Sequence, residues 1–287
     1  MGFNRPEAKY RARLAMRGAY PHPMLVTLVY VLLTGVLTSA IMYFVSNPFT
    51  LAYWYLMDGE ELEDVFYYLF TFQRVRVYLL MELLITLYQW VMVFGYAAYG
   101  LDLARRTGPG YRTLLEGFSH LGRALLVSFL PALFATLWGL AATLPGVILL
   151  IAGGVTESSV LMLLGGLLIV CGAVIETVVA YRYRLAVYIL LDNPDMSTLA
   201  AITASKQTMV GHKWELFVLD LSFLGWWILS AFTLGILSLW VAPYAGCTEA
   251  NFYHWAVYGS FPEEHTGYQS PTYQSPYQDD SNSGPQF

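Results

Sequence analysis

Four acids interrupt stretches of this chain that are otherwise apolar: Glu82, Glu176, Asp220 and Glu249. A charged side chain at the centre of a bilayer costs at least about 2.5–3.5 kcal/mol, so such residues mark a proton, ion or solute path or a charge pair that fixes helix packing. By helical rise, Glu176 and Asp220 each lie about 9 Å from one end of their apolar runs, and Glu82 about 8 Å from the opposite end of its own. Glu249 lies nearer the middle of its run. Arg182 and Arg184 flank the zone of Glu176 and Asp220, and His254 follows Glu249 by about a turn. These positions allow one polar cluster of Glu176, Asp220 and Glu249 with Arg182 or Arg184. The cluster would bind a cation or proton, or hold a lipid headgroup or small polar solute. Alternatively it pairs charges to set the packing, with snorkelling relieving the rest.

Other chemistry finds little footing. The stretch GFSHLG at Gly117–Gly122 nearly mimics a nucleophile elbow, but its second glycine falls one residue late. The histidines (His22, His120, His212, His254 and His265) show no paired metal spacing, and no glycine loop could cradle a phosphate. Cys171 and Cys247 lie inside apolar runs and suggest neither a disulfide framework nor a thiolate metal site. The expectation is a protein that is not an enzyme, with no catalytic residues, no metal and no cofactor.

The elements that must position these acids are membrane helices. The 287 residues are 57% hydrophobic and 12% charged, about half the charge fraction of a soluble domain. A net charge of −5 gives no global attraction to nucleic acid. A helix needs about 20 apolar residues to cross a bilayer. Spans are expected near residues 24–45, 77–101, 124–145, 160–181, 215–233 and 236–258. The first run is longer than the roughly 7–15 apolar residues of a signal peptide. Pro131 and Pro145 predict a kinked or tilted third span that ends near Pro145, with an irregular segment after it. The last two spans require a turn near Thr233, Leu234 and Gly235, where the only signal is one glycine.

Thirteen of the fifteen Lys and Arg fall before span one, between spans two and three, and between spans four and five. Only Arg74 and Arg76 fall in the other loops. The positive-inside rule then places residues 1–23, a basic segment, in the cytosol. Two spans in the last run would put the tail, residues 259–287, there too. In HKWELFVLDLSFLGWW, His212 and Lys213 sit at cytosolic headgroups and Trp214 is an interface anchor. Trp226 and Trp227 lie about 18 Å further on.

Around this membrane domain the expectation is short amphipathic surface helices. Asp58 and Glu61 resemble a capping box, and Leu62, Val65, Phe66, Leu69 and Phe70 follow helical spacing. The loops LDLARRTGPGYRTLLEGFSHLGR and LDNPDMSTLAAITASKQTMVGHK share a pattern of Leu-Asp, proline, amphipathic helix and Gly before a basic residue. That pattern suggests an internal duplication. The tail, with its two YQSP units, is polar and rich in Pro and Ser, so it is expected to be disordered, either simply solvated or offering Tyr268, Tyr273 and Tyr277 as a ligand for a protein partner or as a modification site. Ala242, Gly246 and Ala250 recur every fourth residue and predict close helix packing, with Pro243 kinking that span.

The segments LLDNPDM, MVGHKW, DLSFLGW and TLGILSLWVAPY, followed by FY, occur in that order between Tyr181 and Tyr258. In that order they resemble a large bacterial membrane family, domain of unknown function nine hundred and seventy-five. The resemblance is looser upstream and excludes the tail. It implies a six-span inner-membrane protein and supports the turn near Gly235. The family is distantly similar to membrane domains fused to glycerophosphodiester phosphodiesterases, and that catalytic activity is not expected to carry over to these residues. The resulting fold class is all-α, a polytopic transmembrane bundle. The functional expectation is a non-enzymatic accessory or scaffold protein of the bacterial plasma membrane, with both termini cytosolic and the basic N-terminal segment on anionic lipid headgroups. The alternative is a transporter of a small solute, ion or lipid that uses the inner-half acids.

Overall fold

The computed structural model describes residues 2–45, 53, 57, 59 and 73–262. Among them every regular element is helical. The expected outer helix around residues 58–70 and most of the tail lie outside the described residues. The elements are α1 (Arg5–Gly18), α2 (Pro23–Val31), α3 (Leu37–Val45), α4 (Gln73–Arg105), α5 (Glu116–Ser119), α6 (Leu121–Val155), α7 (Ser159–Tyr181), α8 (Ala186–Asp192), α9 (Thr198–Thr208), α10 (Lys213–Phe232) and α11 (Ser238–Tyr258). A π turn, Leu32–Val36, joins α2 to α3 into one rod.

Five helical stretches are long and apolar enough to cross a membrane: Pro23–Tyr43, Val75–Arg105, Leu121–Val155, Ser159–Asp192 and Lys213–Phe232. The chain is thus a multi-pass membrane protein of the all-α class. The sixth expected segment is α11, which is 21 residues long but less apolar, carrying Glu249, Asn251 and His254. It can be so because α11 is the central helix, packed against α1, α2, α4 and α10. A helix sheathed in protein need not match lipid. The chain reverses into it through Thr233–Leu237, where Leu234 and Gly235 take φ of 53° and 84° and Gly235 N–H donates to Ser230 O at 2.9 Å. These helix-ending hydrogen bonds form without a Gly-Pro or Asn-Gly signal.

The third span departs from expectation. Helix α6 does not end near Pro145; it runs 35 residues, through both Pro131 and Pro145, to Val155. Away from water a freed backbone has no alternative partner, so one missing N–H costs less than unravelling a turn. Its partner α7 also holds it. Gly139, Gly146 and Gly153, at seven-residue spacing, are buried against α7, where they meet Glu176, Gly165 and Met162, and Gly165 and Gly172 of α7 are buried in turn. A Cβ on Gly146 would meet Gly165 O at 2.8 Å, and one on Gly165 would meet Gly146 O at the same distance. Small residues here let two backbones approach to van der Waals contact.

The buried core gathers at one end, where most basic residues lie. It includes Ala8, Ala12 and Met16 of α1, Tyr99 and Leu103 of α4, Ile189 and Leu190 of α8, Ile202 of α9, Leu216 and Leu219 of α10, and Phe252 and Tyr253 of α11. Gly100 meets the backbone of Gly246, a Cβ there lying 3.3 Å from Gly246 O. From that crossing α4 runs on for about 40 Å to Gln73, whereas α11 runs about 12 Å to Ser238 and about 18 Å the other way to Tyr258. More than half of α11 therefore belongs to this core.

The surface features are packed against the bundle. The basic N-terminal segment forms a packed helix, α1. Asn4 caps α1 by accepting Glu7 N–H at 3.2 Å, and Ala8, Ala12 and Ala15 are buried on one face. Asn251 Nδ2 donates to Ala8 O at 3.1 Å. The two internal loops fold differently from each other. The first forms only a 3₁₀ turn, Tyr111–Leu115, and the single turn α5, pressed on α4 so closely that a Cβ on Gly95 would lie 2.0 Å from Leu114 O. The second forms the 11-residue α9, capped by Ser197 on Ala200 N–H.

Candidate functional site

The acids within the apolar runs do not form one cluster. Arg184, in the turn after α7, reaches Glu249 on α11 with two nitrogens: Nε to Oε1 at 2.5 Å and Nη2 to Oε2 at 3.1 Å. Such a fork geometry fixes orientation as well as charge. On α10, Asp220 Oδ2 accepts the Tyr181 hydroxyl at 2.7 Å. Arg184, Asp220 and Glu249 line one partly open cavity of about 300 Å³, with Leu219, Phe223, Leu224, Trp227 and Ala245 completing its walls. Helix geometry explains the convergence. Asp220, Phe223, Leu224 and Trp227 follow the i, i+3, i+4, i+7 rule along one face of α10, and Ala245 and Glu249 are one turn apart on α11.

The remaining predicted members sit elsewhere. Arg182 is exposed, and its carbonyl accepts Ser205 Oγ–H at 3.0 Å. Two residues before Arg184, in the turn after α7, it is carried to another side of the chain. Glu176 packs into the α6–α7 seam, where a Cβ on Gly139 would lie 2.6 Å from its carboxyl carbon. Glu82 is exposed on α4. His254 Nδ1–H donates to Ser260 O at 3.0 Å. Among the described residues no group of three His, Cys, Asp or Glu could hold a metal ion.

The packing residues lie on α11: Ala250 is fully buried, Gly246 is the contact for Gly100, and Ala242 is half-buried. Of the expected interface anchors, Trp214 is 71% exposed. Lys213 is half-buried. His212 turns inward. Its Nδ1–H donates to Glu215 Oε2 at 2.9 Å, and its ring meets Trp255 edge-on at 5.0 Å.

Two constellations escaped the sequence reading. The first centres on Asp192, whose side chain is 6% exposed. Its Oδ2 accepts Arg105 Nη2 at 2.6 Å, the Tyr253 hydroxyl at 2.6 Å and the Tyr258 hydroxyl at 3.1 Å. It ties α4, α8 and α11 together. Arg123 adds a further tie, donating from Nη2 to Asn193 O and Met196 O. Nothing in the Leu-Asp-Asn-Pro run names Arg105 as the partner of Asp192.

The second is the socket of α1. Phe3 N–H donates to Glu215 Oε1 at 3.3 Å, and the Phe3 ring packs on Phe252 and Trp255 at 5.0 and 5.1 Å. Lys9 Nζ donates to Ser222 O at 3.3 Å and lies 4.3 Å from the centre of the Phe223 ring. Burial, and then the neighbouring Arg13, lower the Lys9 pKa. Arg11 bonds Glu7 at 2.6 Å and Pro262 O at 3.0 Å.

A family model described as Protein of unknown function (DUF975) matches residues 1–256. Nothing matches among curated proteins or among solved structures. These comparisons do not show the distant likeness to membrane domains of glycerophosphodiester phosphodiesterases.

Proposed function

The chain belongs to the DUF975 family of unknown function, and from its own geometry we propose that it is a non-enzymatic scaffold protein of the bacterial plasma membrane. One observation carries this reading. Two charge pairs beside the apolar helices lie at a single end, Arg184 with Glu249 and Arg105 with Asp192. Paired charges lock helices together. The product is a rigid head of α1, α8, α9 and the ends of α4, α10 and α11.

In this proposal the head faces the cytosol, as thirteen basic residues on one side would require, and both termini lie there. Arg5, Arg13 and Arg17 on the exposed side of α1 hold anionic lipid headgroups, each worth about 1 kcal/mol near the surface. The tail beyond Tyr258 engages a protein partner. A net charge of −5 argues against nucleic acid.

The test separates locking from transport. Glu249→Gln should lower abundance in native membrane, and Arg184→Glu combined with Glu249→Arg should restore part of what Arg184→Glu loses. Crosslinking the full chain in native membrane should recover a stoichiometric protein partner. The cavity beside Asp220 and Glu249 favours a second reading, transport of a small solute, ion or lipid. Unchanged abundance with an abolished flux in Asp220→Asn and Glu249→Gln would establish transport and overturn the scaffold.

A further inference from the structure

We infer that the groove between α10, α11 and the turn after α7 binds an organic ammonium amphiphile, with its cationic head on Asp220 and its apolar chain along Leu224 and Trp227. The inference holds whether the protein scaffolds or transports. It starts from the charge balance of the lining, which holds two carboxylates and one guanidinium. Arg184 commits two nitrogens to Glu249. Asp220 has a phenol as its hydrogen-bond partner, and among the described residues no ion pair reaches it. Lys9, on the neighbouring α1, is held by the Ser222 carbonyl and the Phe223 ring. Half-buried Asp220 therefore faces the groove with no ion pair of its own, sharing only the field of an Arg184 already forked to Glu249, and the lining keeps a net negative charge.

The shape and walls narrow the class of cation. About 300 Å³ is far more than a bare metal ion fills, and the described residues offer no three-ligand metal set. The floor is apolar and fully covered, with Leu219 and Phe223 at 1% and 3% exposure. The rim is apolar and open, with Leu224 and Trp227 at 49% and 42%. Trp227 presents an indole, the best cation–π surface among side chains. Because α10 is a membrane-crossing candidate, a rim of this kind opens toward acyl chains. An anionic head would meet two carboxylates and an arginine already occupied, so the same groove disfavours it.

The test uses the full chain purified in a non-ionic maltoside detergent, titrated calorimetrically with hexyltrimethylammonium. Saturable binding is expected. Asp220→Asn should weaken it about tenfold or more, and Trp227→Ala several-fold. Hexyl sulfate should bind far more weakly than the ammonium probe. If Asp220→Asn does not fold, Ala245→Phe, which fills the groove and leaves every charge in place, must abolish binding. Competition by added phosphatidylethanolamine would identify a lipid headgroup as the occupant, and no competition would identify a free amphiphile; either supports the assignment. No saturable binding at millimolar probe, equal binding by the filled variant, or equal binding of hexyl sulfate overturns it.

Discussion

Asp192→Ala is the most informative single perturbation of the head. The wild-type carboxylate is 6% exposed and its Arg105 partner 13%. One oxygen receives the guanidinium and two phenols at 2.6, 2.6 and 3.1 Å. Removing it leaves a cation buried without a counter-charge, which costs about 3–5 kcal/mol. The orphaned hydroxyls of Tyr253 and Tyr258 would add about 1–3 kcal/mol each in full, but they share the same oxygen with Arg105, so the contributions overlap rather than sum. At roughly 2–4 °C per kcal/mol for a chain of this size, melting should fall by roughly 6–20 °C. Thermal unfolding of the detergent-purified protein, read by tryptophan emission, measures this. Asp192→Asn keeps one acceptor and should fall between wild type and Asp192→Ala. The pair Arg105→Met with Asp192→Leu should recover much of the loss, because an apolar pair of similar volume leaves no bare charge. If Asp192→Ala melts within about 2 °C of wild type, less than the low end of that range, the hub does not hold the head together.

Three further outcomes follow from local geometry. Gly146→Val should destabilise by several kcal/mol and loosen the α6–α7 hairpin, because a Cβ there meets backbone at 2.8 Å, whereas Gly166→Ala faces open space and should stabilise by about 1 kcal/mol; cysteine crosslinking across the hairpin and melting check the pair. Leu234→Gly should gain about 0.5–1 kcal/mol, since Leu234 holds φ of 53° and is 94% exposed, so the side chain contributes strain and little packing. Ala12→Phe, at a fully buried position of α1, should cost about 1–3 kcal/mol by overpacking and expose the Arg5–Arg17 stretch to trypsin, while Arg13→Gln on the exposed side should shift melting by no more than the equivalent of about 0.5 kcal/mol.

Run length and charge asymmetry made the membrane helices legible. Apolar stretches bounded by charge admit few alternatives, because a backbone in lipid must satisfy itself. What stayed illegible depended on neighbours. Proline chemistry predicts a break at Pro145, yet α6 continues because the glycine seam with α7 seats it. The glycines at 139, 146 and 153 stand in the sequence at a spacing of seven, which is the pattern that carries this seam. The N-terminal segment read as basic, but its alanines at 8, 12 and 15 carry the packing, and its lysine and arginines sit around that buried face.

The candidate site divides in the same way. The sequence by itself determined which residues had to find partners, because Glu249, Asp220 and Arg184 cannot stand bare beside lipid. Only the tertiary structure decided the partners: Arg184 rather than Arg182 for Glu249, Tyr181 for Asp220, and Arg105 for Asp192. Desolvation is a property of one side chain in its local run, so it can be read along the chain. Pairing depends on which helix faces meet and at what height, and only the packing of α4, α7, α10 and α11 sets that.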